Sequence, residues 1–218
     1  MYNTQFNKKI YALRSTIQLV ALEKSWAPPI DALKLETLES RMEVFLQIEN
    51  DYHALVQEQA AVQEEFRTLM KASIRLLPHF RTSLMLFIPP KTDRFHQMQD
   101  MFARFRSKST KVEQIEESTP ATNQRSSSKQ SKTDRIDHFY ALRAFITMVP
   151  DYKPVKKELG LESLSERIEE LQKLMESNTL LQGKLKNLRN LRNAASQEII
   201  VLNRQLLQCL KTVNNLKE

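Results

Sequence analysis

IYALRSTIQLV, Ile10 to Val20, returns as FYALRAFITMV, Phe139 to Val149. Tyr11-Ala12-Leu13-Arg14 is identical to Tyr140-Ala141-Leu142-Arg143, a shift of 140 − 11 = 129 residues. The flanking apolar positions stay in phase: Ile10 with Phe139, Ile17 with Ile146, Leu19 with Met148, Val20 with Val149. Self-similarity at a fixed spacing is the mark of a repeated structural unit. Downstream, LKLETLESRME from Leu33 resembles LGLESLSERIE from Leu159 at a shift of 159 − 33 = 126, which requires a three-residue deletion in the second inter-helix loop. Loops tolerate such deletions. The apolar pairs then continue through Leu38/Leu164, Met42/Ile168, Phe45/Leu171, Ile48/Leu174 and Leu55/Leu181. This pattern predicts an all-α chain, a tandem duplication of a short-helix, long-helix unit that forms an elongated antiparallel helical bundle with coiled-coil character.

Composition agrees with helices. Glycine occurs twice in 218 residues, at Gly160 and Gly183, which argues against tight-turned sheets and against glycine-built phosphate cradles. A hydrophobic content of 41% suffices for a core. Cys209 is the single cysteine, which excludes an intrachain disulfide and suits a reducing compartment. The stretch MYNTQFNKKIYALR has no apolar signal region, and no later run reaches membrane-spanning length. The expected location is cytoplasmic.

Along the chain, a first helix is expected from about Phe6 to Leu22, closed by Trp26-Ala27-Pro28-Pro29 with Trp26 as a packing anchor. A long helix should follow from Asp31 or Glu36 to Leu77, kinked or broken at Pro78, with Leu84 to Ile88 continuing into a buried end before Pro89-Pro90. Thr92 or Asp93 would cap an amphipathic helix over residues 93–106. These elements make repeat 1, residues 1–106. Residues 107–132 are rich in Ser, Thr, Lys and Gln and read as a flexible polar linker. Repeat 2, residues 133–218, begins at Thr133 or Asp134 and ends in a last helix with no proline, about 80 Å long if unbroken. Ser163 and Glu166 have capping-box spacing at its start. Leu181, Leu188, Ala195, Leu202, Cys209 and Leu216 recur every seven residues, with Leu185, Ile199, Leu206 and Val213 between them and Arg192 interrupting the seam.

No metal, nucleotide or nucleophile motif is present, so no cofactor and no enzymatic activity are expected. His53, His79, His96 and His138 lack ligand spacing. Two groups of residues are candidates for binding. Leu202, Leu206, Val213 and Leu216, on the far part of the last helix, would need a protein partner or a second copy to bury them. Lys184, Lys186, Arg189, Arg192 and Arg204 could neutralise phosphates, as the formal charge of +7 permits. A third reading uses the apolar run Leu84 to Ile88 and the basic helix after it on a membrane surface. The leading expectation is a non-enzymatic scaffold or interaction protein, with nucleic-acid binding and membrane binding as alternatives and no small-molecule substrate.

Overall fold

The computed structural model describes residues 5–23, 26–28, 30–106 and 132–215; the expected linker, but for Lys132, and Leu216 lie outside them. Of the described residues 87% are helical and none is in a strand. Five α-helices follow in order: α1 Gln5–Leu22, α2 Leu35–Met85, α3 Asp93–Arg106, α4 Lys132–Thr147 and α5 Leu161–Asn215. Short 3-10 turns at Asp31–Leu33 and Lys157–Leu159 lead into α2 and α5. No described helix is long and apolar enough to cross a membrane.

The chain packs as two compact units, one of residues 1–61 with 179–218 and one of residues 62–178. The sequence ranges 1–106 and 133–218 are therefore not the packing units. Helix pairs with narrow apolar stripes need a third helix to close a core, and each long helix supplies one stretch to each unit.

In the first unit α1 turns Phe6, Ile10, Leu13, Ile17 and Val20 inward, spaced three or four residues apart. They meet Leu33 from the 3-10 turn, Leu38, Met42 and Phe45 from the start of α2 and Ala195, Ile199, Leu202 and Leu206 from α5. Trp26 packs against this cluster from the loop after α1, in the anchoring position expected of it.

In the second unit α4 buries Ile136, Phe139, Leu142, Phe145 and Ile146, with Val149 just beyond its end, against Phe66, Met70, Leu77, Phe80 and Leu84 of α2 and Leu164, Ile168 and Leu171 of α5. Here α3 is a fourth member, sinking Met98 and Phe102 into the core and setting the Phe105 ring 5.2 Å from that of Phe139. Thr92 caps it: the Phe95 N–H donates to Thr92 Oγ1 at 3.2 Å.

Two local expectations change. Pro78 does not end α2, which runs on to Met85. The missing N–H costs one hydrogen bond on an exposed side of the helix, while Leu77, Phe80 and Leu84 on the other side are buried. The run Leu84 to Ile88 divides accordingly, with Leu84 and Ile88 buried and Met85 and Leu86 exposed. Ser163 is not an N-cap, because α5 begins at Leu161 and the Gly160 carbonyl accepts the Leu164 N–H at 3.1 Å. Gly160 is extended there, and a Cβ on it would stand 3.1 Å from the Lys157 carbonyl oxygen, so glycine suits the approach to the 3-10 turn.

Tyr152, in the loop between α4 and α5, donates its hydroxyl to the Leu159 carbonyl at 3.1 Å and sets its ring edge-on to Phe87 at 5.4 Å. Burial raises its pKa from the ordinary 10.0, with a hydrogen bond involving Ser83 opposing the shift. The folded chain thus holds the phenolic proton more tightly than the unfolded one. That stabilisation is complete below about pH 10 and is lost as pH rises through the folded value. Tyr152→Phe is expected to lose about 1 kcal/mol at neutral pH. Its stability, followed by thermal melts from pH 8 to 12, should then fall less steeply than that of the unaltered chain.

Candidate functional site

The first unit holds the residues that sequence patterning singles out, and at its centre is an ion pair between α2 and α5. Arg192 sits where the seven-residue spacing of α5 demands an apolar side chain. A cation there survives only with a counter-charge, and Glu49 provides it. Arg192 Nε lies 2.6 Å from Glu49 Oε2, and Nη2 donates to Oε1 at 3.0 Å. The Nη2 contact is a charge-assisted hydrogen bond and the Nε contact a close ion pair. His53 Nε2 is also 3.0 Å from Glu49 Oε1, one helical turn along α2. The Glu49 side chain is 6% exposed and that of Arg192 16%. The guanidinium is sandwiched by the rings of Tyr52, 4.5 Å from the ring centre, and Phe6, 5.1 Å away. Arg192, expected among the anion-binding residues, is instead committed to Glu49 and to two aromatic faces. Its charge is neutralised inside the unit.

Beside it, the seam between α1 and α5 is polar. Lys9 Nζ donates to Ser196 Oγ, and the Thr16 hydroxyl donates to Asn203 Oδ1 at 2.6 Å. Gln5, Phe6, Lys9, Arg192, Asn193, Ser196 and Gln197 surround an open cleft of about 470 Å³. Such a lining offers amide and ammonium donors to water or to a polar group. In the second unit α4 and α2 meet through apolar side chains, and Phe105 of α3 packs there with its ring 5.3 Å from that of His138.

Of the expected partner-binding residues, Leu202 and Leu206 are buried in the unit's own core, 3% and 0% exposed, where α1 and α2 cover them. They need no second molecule. Val213 is half-buried, and Leu216 lies outside the described residues. No known protein family, curated protein or solved structure matches this chain.

Lys184, Lys186, Arg189 and Arg204 are exposed on α5. At about 100° per residue, Lys186 and Arg204 share a direction but stand roughly 27 Å apart, and Lys184 points some 160° away from them. They do not form one stripe.

What patterning missed is Glu49, together with a set of exposed apolar residues. A charged residue inside an apolar seam is itself the signal for a buried counter-ion on a neighbouring helix. Val44 on α2 is 55% exposed and Leu191 on α5 56%, with Leu180 and Val201 similarly open. By helical geometry Arg41, Val44, Ile48 and Leu55 fall within about 60° of one another on α2, and Leu180, Leu191, Glu198 and Val201 within about 80° on α5. Arg41 bonds Glu198 across the two helices, which brings these strips side by side on one face.

Proposed function

We propose that the chain is a tandem duplication of a short-helix, long-helix unit acting as a non-enzymatic scaffold, a subunit or adaptor that joins a larger assembly through helix surfaces. Supporting the duplication, the 3-10 turns at Asp31–Leu33 and Lys157–Leu159 stand 157 − 31 = 126 residues apart, as do the starts of α2 and α5, 161 − 35 = 126. At the 129-residue shift, Ile10, Leu13, Ile17 and Val20 of α1 and Phe139, Leu142, Ile146 and Val149 of α4 are all buried.

The observation that carries the scaffold reading is the apolar face of Val44, Leu191 and Val201 on rigid helices. Contiguous exposed apolar surface bordered by charge marks protein interaction sites. Aligned positions in the second unit carry Glu170, Glu65 and Arg75. A surface that is charged in one copy of a repeat and apolar in the other has been given a separate use.

The test is light scattering of the purified full chain across a salt series, with absorbance at 260 and 280 nm on the same peak. A nucleic-acid-free protein that also fails to sediment with anionic vesicles supports the scaffold. Co-elution of nucleic acid that high salt strips away would overturn it in favour of the Lys184 to Arg204 surface.

A further inference from the structure

Charge is segregated within the first unit. Between Leu35 and Ala61 α2 carries six acidic residues and one base, Arg41; between Thr179 and Asn215 α5 carries six bases and one acid, Glu198. The two exceptions pair with each other, and Glu49 pairs with Arg192. That leaves 6 − 1 = 5 acids on α2 and 6 − 1 = 5 bases on α5, all exposed. The apolar face described above lies between the acidic helix and the basic one.

A face acidic along one edge and basic along the other is complementary to itself. Turned over by a two-fold axis running along the helices, a second copy sets its acidic α2 against the first copy's basic α5, and the reverse contact follows by symmetry. The antiparallel register, in which Glu49 is level with Arg192 and Arg41 with Glu198, brings Val44 of one copy level with Ser196 of the other. It also brings Asp51 and Glu58 of one copy level with the segment Gln182 to Arg189 of the other, where Lys186 lies between them. From Leu180 to Val201 two adjacent helices present roughly 32 Å by 20 Å, on the order of 600 Å² per copy. Stable pairs bury about 800 Å² per partner, so a reversible association in the micromolar range is expected.

We propose that the α2/α5 face of the first unit is a homodimer interface, with Val44, Leu191 and Val201 at its centre and Asp51 and Glu58 of each copy flanking Lys186 of the other. This rests on the scaffold reading, for which it names the partner as a second copy of the chain.

Sedimentation of the full chain from about 1 to 200 µM tests it. The expected result is a monomer–dimer equilibrium that weakens as salt rises, since rim charges are screened. Val44→Glu with Leu191→Glu replaces residues more than half exposed, so the fold is retained by circular dichroism, and association should weaken by at least about tenfold. Two further variants use charge reversal, Asp51→Lys with Glu58→Lys and the single Lys186→Glu. Each alone should associate more weakly, and an equimolar mixture of the two should restore the dimer. A chain that stays monomeric at 200 µM, a dimer indifferent to Val44→Glu with Leu191→Glu, or a mixture that fails to pair would overturn the proposal. A monomer free of nucleic acid removes only the homodimer, whereas bound nucleic acid removes the scaffold reading.

Discussion

Arg192→Ala is expected to cost the first unit about 3–5 kcal/mol, because it strands a carboxylate that is 6% exposed. Glu49→Ala should cost a similar amount by stranding the guanidinium between Phe6 and Tyr52. The informative variant is the pair. Glu49→Leu with Arg192→Leu leaves no buried charge and fills the same space with apolar atoms, so its stability should return to within about 1 kcal/mol of the unaltered chain or exceed it. Urea denaturation of the four proteins makes the comparison. If the double variant is as weak as the singles, the pair contributes more than mutual neutralisation.

The second large effect concerns Phe80. It is 0% exposed and follows Pro78 by two residues, on the side of α2 that meets α4 and α5. Phe80→Ala should cost about 3–5 kcal/mol as a cavity opens in the second unit. It should also shorten α2, since the proline has already removed one hydrogen bond and the buried ring is part of what keeps residues 79–85 helical. Hydrogen exchange is the measurement, with protection expected to fall from Arg81 to Met85 and to hold before Leu77. Loss of stability without that local change would mean that Leu84 alone fixes the end of the helix.

Much of this fold is legible in the order of residues. The three- and four-residue spacing of Ile10, Leu13, Ile17 and Val20 has no other use than one side of a helix, and Thr92 announces the helix it caps. Pro78 misleads because proline's cost is a local, one-bond quantity, while Leu77, Phe80 and Leu84 bury their area against helices distant in sequence. Leu202 and Leu206 mislead for a related reason. Their apolar spacing says that something covers them, but not that α1, almost two hundred residues earlier, does so. Arg192 is visible as an interruption and Glu49 as an ordinary acid, and only their juxtaposition makes either meaningful. The apolar face of Val44 and Leu191 depends on which side of each helix the partner helices leave open, which no single stretch of sequence encodes.

The division of α2 and α5 between two units also has a consequence for synthesis. Residues 62–178 form a continuous stretch, so the second unit has every helical segment of its core available once Asn178 has left the ribosome. The first unit is made of the chain's two ends. Phe6, Ile10 and Leu13 must wait, with their apolar stripe uncovered, until Ala195, Ile199 and Leu206 are translated. A nascent chain halted before residue 195 would therefore hold one finished unit beside α1 and the first part of α2 without their covering helix, the form in which chaperones would meet it.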